Sequence, residues 1–359
     1  MMARFHDLTV ARIDRETPDA VSIAFDIPDD LKTRFAFKPG QYLTLAADIG
    51  GEEIRRSYSI CSGPGEPLLR VGIRRVEDGR FTGFVTEKLS AGDIIRVMEP
   101  EGRFTPEIGG DHDYLLVAAG SGITPMLAIA KAVLSHEPGS RVTLVYGNRE
   151  TGSIMFLEEV EDLKDRYLGR FSLIHVLSRE SQDVDALNGR IDGERIRLFA
   201  SRGLIDPENH DLAFLCGPGA MIDAVAGTLK DLGMPEGRIR YERFTLDGEA
   251  PKARPASSAA REAAEKGAAV EVIHDGVRKR FHVTEPDQTV LDAAHKAGHE
   301  LPWSCSNGMC CTCRCKVVDG TSEMALNFSL EPWEVEAGYT LACQTRPTSE
   351  KLVLDFDAV

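Results

Sequence analysis

Eight cysteines occur in this chain, and six of them lie between positions 305 and 343. Cys305, Cys310 and Cys313 follow the spacing C-x4-C-x2-C, and Cys343 comes later in the same segment. Thiolates at that spacing suit two sulfide-bridged irons, a 2Fe–2S cluster that accepts one electron at a time. The loop Cys305-Ser306-Asn307-Gly308-Met309-Cys310-Cys311-Thr312-Cys313 is tight enough to leave backbone N–H groups pointing at the sulfurs. A structural zinc site would pair its ligands twice as C-x2–4-C, and the second pair is missing. Disulfides do not suit a chain without an export signal. Cys311 and Cys315 sit beside these ligands. Cys315 opens an apolar run as a small buried strand residue, whereas Cys311 is an alternative ligand should Cys310 be lost.

Three further segments carry chemistry. Gly120-Ser121-Gly122-Ile123-Thr124-Pro125 joins an apolar strand to a helix, where glycines and a helix N-terminus can receive a pyrophosphate. It lacks the third glycine of G-x-G-x-x-G. Cys216-Gly217-Pro218-Gly219 ends a later strand, at the edge of an open α/β sheet where ligands bind. Arg56-Ser57-Tyr58-Ser59 combines a cation for phosphate, a ring that can stack on a flat cofactor and a hydroxyl that can bond a ring nitrogen.

These segments need separate scaffolds. At 359 residues the chain suggests two or three domains. Short β runs at 9–13, 20–25, 42–45, 54–60, 69–73 and 94–97 predict an antiparallel barrel over 1–106. From 107 to 244 continuous apolar strands alternate with helices, the pattern of a parallel α/β sheet. Strands are expected at 114–119, 142–146, 171–177 and 213–216, and helices from Pro125, over 156–167 and over 220–232. Thr124 is expected to cap the first helix, with Pro125 at its first position. Residues 245–267 hold almost no large apolar side chain and read as a linker, with a short surface helix at 259–266. Residues 268–359 form the cysteine-bearing α+β domain. A net charge of −15 and a pI near 5.1 argue against nucleic acid and anionic membranes. No apolar run approaches the roughly 20 residues of a membrane span. With no apolar signal region at the start, the expected compartment is the cytoplasm.

A barrel with R-x-Y-S, followed by an α/β domain with G-x-G-I-T-P and C-G-P, resembles the ferredoxin–NADP reductase family over roughly residues 5–244. The C-terminal domain resembles a plant-type 2Fe–2S ferredoxin of β-grasp fold, with a potential of about −400 mV. Together they resemble the reductase of a multicomponent oxygenase, the alternatives being the reductase of another, ring- or steroid-hydroxylating oxygenase and a free-standing diaphorase or redox sensor with the same carriers. The stretches Met324–Asn327, Leu330–Val335 and Gly338–Gln344 are similar to those of phenylacetyl-CoA epoxidase reductases. The resemblance implies FAD, with FMN as the alternative, and a diiron oxygenase as electron acceptor. It also implies site residues. Arg56 would hold the flavin pyrophosphate, Tyr58 would stack on the isoalloxazine and Ser59 would face its N5. Ile73 and Arg75 would contact the flavin, and Gly79-Arg80-Phe81-Thr82 would be a loop capping its pyrophosphate with Thr82 as donor. Gly120, Gly122, Thr124 and Pro125 would form the nicotinamide nucleotide's pyrophosphate loop, and Cys216 with Gly217 would pack on the nicotinamide. Glu242 and Phe244, in Tyr241-Glu242-Arg243-Phe244, would complete the hydride site.

Ser178 and Arg179 follow a strand of the α/β domain and suit a 2′-phosphate, which favours NADPH over NADH. Arg190 is a second phosphate contact, and Glu180 beside them opposes the assignment. Because NADPH delivers a pair of electrons and the cluster takes one, a flavin has to stand between them. Pro302, Trp303, Ser304, Asn307, Gly308 and Met309 are expected to form an apolar rim for transient docking. His295 and His299, an i, i+4 pair on an expected helix, lack a third ligand and read as surface residues.

Overall fold

The computed structural model describes residues 4–244 and 253–358. Two compact units result, one holding both N-terminal sheets and the other the C-terminal sheet.

The first sheet contains β1 (Phe5–Thr17), β2 (Ala20–Asp26), β3 (Tyr42–Asp48), β4 (Glu53–Ser59), β5 (Leu69–Arg74) and β6 (Ile94–Met98), in the order β4-β3-β6-β1-β2-β5. Ile60, just past β4, pairs antiparallel with Val71 of β5, which joins the two ends of the sheet into a barrel. Leu8, Val10, Ile23, Leu43, Leu45, Val71 and Val97 fill its interior. One expectation needs correcting here: Gly79–Thr82 is not a loop. Gly79 is the N-cap of α1 (Arg80–Glu87).

The second sheet is parallel throughout: β7 (Asp113–Ala119), β8 (Arg141–Asn148), β9 (Phe171–Leu177), β10 (Leu212–Gly217) and β11 (Ile239–Arg243), in the order β11-β10-β7-β8-β9. Helices α2 (Ile123–His136), α3 (Leu157–Arg166), α4 (Gly193–Ser201) and α5 (Gly219–Asp231) accompany it. Along β7, Leu116 and Ala118 join one core cluster, while Leu115 and Val117 join another. Burial on both faces explains why that strand reads as continuously apolar. Thr124 is not the cap of α2. Gly120–Gly122 already turns as a 3₁₀ segment, the helix begins at Ile123, and Thr124 Oγ1 donates back to the Ser121 carbonyl at 3.0 Å. Helix α4 was not expected, although Asp192 caps it by accepting from the Arg195 amide.

The other unit begins with α6 (Ser258–Glu265), capped by Ser257. Its sheet comprises β12 (Ala268–His274), β13 (Val277–Val283), β14 (Arg314–Asp319), β16 (Tyr339–Leu341) and β18 (Lys351–Asp355), in the order β13-β12-β18-β14-β16. Helices α7 (Val290–Lys296) and α8 (Pro332–Glu336) and the pair β15 (Ser322–Met324) with β17 (Thr345–Pro347) complete it. β12 runs parallel to β18 and antiparallel to β13, and Val270, Val272, Leu291, Leu341, Leu352 and Leu354 form the core. Within the segment read as a linker, residues 245–252 lie outside the described residues. α6 buries Ala260, Ala263 and Ala264, and the Arg254 amide donates to the Ala325 carbonyl at 3.1 Å. His299 lies beyond the end of α7, so it does not share a helix face with His295. Among the described residues, no helix is long and apolar enough to cross a membrane.

Candidate functional site

The three segments expected to meet at a hydride site do meet. Ser59 ends β4 and is buried, and its hydroxyl donates to Glu242 Oε2 on β11 at 3.0 Å. Glu242 is in register with Cys216 on the neighbouring parallel strand β10. The start of α2 presses on the same point, because a Cβ on Gly122 would lie 2.2 Å from the Cys216 carbonyl oxygen. Only glycine fits there. Gly120, at φ +56, is held from beneath by the buried Tyr146, whose hydroxyl donates to its carbonyl at 3.1 Å. Gly217 closes against Met221, where a Cβ would be 2.7 Å from the thioether methyl. Phe244 packs against the cluster that contains Cys216. Pro125 and Thr124 are buried within α2.

Electrostatics single out one member of this group. Burial pushes the Glu242 carboxyl up to about 7, while the hydrogen bond from Ser59 pulls the other way. The Cys216 thiol is driven far above its ordinary range by burial and then by Glu242, so it is a packing surface and not a nucleophile.

The barrel residues divide. The Tyr58 ring lies 5.9 Å from the Phe81 ring, and the Arg56 guanidinium donates to the Arg55 carbonyl at 2.9 Å. Ile73 and Phe81 point into the barrel core, so their side chains do not reach a cofactor. Thr82 is buried too. Its hydroxyl donates to the Gly79 carbonyl and accepts from the Val76 amide, both at 3.2 Å, so it is not a free phosphate donor. What this segment offers an anion is backbone N–H at the start of α1. Arg75 pairs with Glu87 at 2.6 Å. Arg74, which the motifs alone do not single out, donates to the Ser153 carbonyl at 2.6 Å, and a Cβ on Gly120 would lie 3.0 Å from its Nη1. The alternation of β5, with Val71 and Ile73 turned inward, was the signal for it.

At the far end of the parallel sheet, Leu177 bridges Asn188, and the Gly189 amide donates to the Leu177 carbonyl at 2.7 Å. This pairing sets Ser178 and Arg179 beside the stretch carrying Arg190. Arg179 is exposed, and its amide donates to the Arg149 carbonyl at 2.8 Å, which brings Arg149 to the same edge. Glu180 turns to Thr151, accepting from its amide at 2.7 Å and its hydroxyl at 2.8 Å.

In the C-terminal unit the amides of Asn307 and Met309 both point at Cys305 Sγ, each at 3.4 Å. Ser306, Gly308 and Cys311 adopt positive φ (55, 72 and 60°), which curls the loop around the sulfurs. Cys305 is hydrogen-bonded to Cys310, and Cys313 to Cys343. The hydrogen bond from Cys310 pulls the Cys305 thiol below its ordinary range against burial. Cys315 lies outside this ring, fully buried on β14 with its thiol towards the Thr340 carbonyl. Cys311 turns to the Ser329 carbonyl at 3.6 Å. Among the described residues no three His, Cys, Asp or Glu side chains surround a single ion site; two irons spread their ligands over a larger frame. Donor hydrogens aimed at sulfur, with four thiols in reach of one another, fit a 2Fe–2S cluster. Ser304 and Gly308 are buried, so the expected docking rim reduces to Pro302, Trp303, Asn307 and Met309.

Three family models match in this order: an oxidoreductase FAD-binding domain at residues 7–105, an oxidoreductase NAD-binding domain at 116–227 and a 2Fe–2S iron–sulfur cluster binding domain at 272–348. One of the subunits of 1,2-phenylacetyl-CoA epoxidase from Escherichia coli K12 is 44% identical over 99% of both chains. The chain belongs to the ferredoxin–NADP reductase family, in the branch with a C-terminal ferredoxin domain. Another member, the ferredoxin reductase component of 3-ketosteroid-9-alpha-monooxygenase from Rhodococcus rhodochrous, is 35% identical over 97% of this chain and 96% of its own. The structure of phthalate dioxygenase reductase superposes with a TM-score of 0.59 over 98% of both chains at 22% identity, so the fold is shared. As a family member the chain is an oxidoreductase with an FAD domain, a nicotinamide-nucleotide domain and a 2Fe–2S domain.

Proposed function

We propose that this reductase passes electrons from NADPH through FAD and its 2Fe–2S cluster to a diiron oxygenase component, that of a phenylacetyl-CoA epoxidase. The observation that carries this reading is the 44% identity to the epoxidase polypeptide over essentially the whole of both chains, cluster domain included. FAD, when bound, accepts a hydride and releases electrons singly. The chain's own residues align and exclude. Ser59 presents its hydroxyl at the end of the barrel strand, Glu242 holds or releases a proton beside it, and Cys216 offers a dry apolar face. Gly120 and Gly122 let backbone approach a pyrophosphate at the start of α2. Arg56 and the amides at the start of α1 hold the flavin's phosphates. Cys305, Cys310, Cys313 and Cys343 hold the cluster. The thiols of Cys61, Cys216, Cys311 and Cys315, none of them in a disulfide, suit a reducing compartment, the cytoplasm.

Mixing the reductase with phenylacetyl-CoA epoxidase oxygenase subunits and phenylacetyl-CoA tests the reading. NADPH oxidation coupled to epoxide formation is the expected result. Coupling only to a 3-ketosteroid oxygenase would move the partner assignment, and uncoupled dye reduction alone would remove it.

Coenzyme choice follows from Ser178, Arg179 and Arg190. With Glu180 bound to Thr151, the Arg179 guanidinium is left to a 2′-phosphate, and a charge-assisted bond contributes roughly 1.5–3 kcal/mol. Arg179→Ala should raise the KM for NADPH about 10- to 100-fold and leave NADH nearly unchanged. Equal effects on both coenzymes would place Arg179 outside the phosphate site.

A further inference from the structure

Four charged side chains form a closed square between the barrel and the parallel sheet's helices. Glu66 and Arg70 come from the barrel, Lys131 from α2 and Glu159 from α3. Arg70 meets Glu159 with two parallel bonds, 2.7 and 2.8 Å, and reaches Glu66 at 3.4 Å. Lys131 Nζ lies 2.6 Å from both Glu66 and Glu159. Arg70 and Lys131 are 11% and 14% exposed, so solvent screens the square little. Each side contributes one cation and one anion, and the square is neutral. The approach is close, since a Cβ on Gly63 would lie 3.0 Å from the Lys131 Cβ.

Both ends of the square lead to the hydride site. On the barrel side, the Cys61 amide donates to the Arg70 carbonyl at 2.9 Å, and the Arg70 amide donates to Ser62 Oγ at 3.0 Å. Ile60, between Ser59 and Cys61, bridges Val71. Ser59 is therefore anchored to the strand that carries Arg70. On the other side Lys131 sits in α2, about 10 Å along the helix from Thr124 at its pyrophosphate end. A helix is stiff over that length, so a turn about Lys131 moves Gly122 against the Cys216 carbonyl, which a Cβ on Gly122 would approach to 2.2 Å. Paired fork-to-carboxylate bonds fix direction as well as distance.

Resting on the function proposed above, we infer that Glu66, Arg70, Lys131 and Glu159 are positioning residues for hydride transfer, setting the angle between flavin and nicotinamide domains. Two variants test it. Arg70→Met with Glu159→Met removes the directional link and leaves Lys131 paired with Glu66, and apolar replacement of such a pair is commonly tolerated by the fold. Glu159→Gln keeps the shape and removes the charge. Rates are read per bound FAD, so poorer folding lowers yield and not rate. The limiting rate of flavin reduction by NADPH should fall about 10- to 100-fold in the double variant, with the NADPH dissociation constant changed by less than about threefold. In flavin-free protein, amide hydrogen exchange at 72–74 and 154–156 should rise in both variants. A limiting rate within about twofold of wild type in both, or an effect confined to NADPH affinity, overturns the inference. If the wild type transfers no hydride from either nicotinamide, the functional reading fails, and unchanged exchange in the variants then overturns the positioning role as well.

Discussion

Cys343→Ser should abolish the visible iron–sulfur absorbance while the flavin spectrum persists, and Cys315→Ser should leave both. The two cysteines look alike in sequence, each close to the C-x4-C-x2-C run, but their surroundings differ. Cys343 is hydrogen-bonded to Cys313, and the Gln344 side chain, itself tied to the Ser306 carbonyl at 2.9 Å, points at its sulfur. Cys315 is sealed in the sheet, fully buried on β14 with its thiol towards the Thr340 carbonyl and not towards the other four sulfurs. Ser at 305, 310 or 313 should match Ser at 343, because Cys311, the alternative to Cys310, turns away to the Ser329 carbonyl at 3.6 Å. Loss of the cluster in Cys315→Ser, with retention in Cys343→Ser, would reverse the ligand assignment. Iron content and circular dichroism of the purified variants read it directly.

Legibility followed sequence distance. The cysteine run is local, and so is the glycine turn after β7, so spacing alone exposed both. Burial of β7 on two faces left its mark as an unbroken apolar run. The meeting of Ser59 with Glu242 spans 183 positions and showed only through the order of motifs shared with a family. Arg70 and Glu159 are 89 apart, and nothing local distinguishes them from any surface pair. Thr124 was misread because Thr-Pro imitates a cap and first turn, whereas Gly120–Gly122 had already begun turning. Thr82 and Phe81 were misread because a family motif says which positions matter and not whether the side chain or the backbone acts. Here the side chains serve the barrel and the amides remain.

Ser59→Ala should slow flavin reduction by NADPH about 10- to 1000-fold, because small misplacements at a reacting centre cost on the order of 100-fold. Cys216→Ala should fall in the same range, through loss of the buried side chain proposed to pack on the nicotinamide. Electron flow from reduced flavin to the cluster should change far less, since both residues are proposed to act on the alignment of nicotinamide with flavin and neither is a cluster ligand. Glu242 adds a pH signature. Its carboxyl is pushed up to about 7 by burial, so above that pH it is an anion accepting from Ser59, and below it is protonated. The wild-type reduction rate should inflect near pH 7, and Glu242→Gln should flatten the profile. A carboxyl raised above its ordinary 4.5 makes the folded protein hold a proton that the unfolded chain gives up, so wild type loses stability relative to Glu242→Gln as pH climbs from 4.5 to about 7. A flat wild-type profile, or Ser59→Ala and Cys216→Ala rates both within about twofold of wild type, would move hydride transfer away from the junction of β4, β10 and β11.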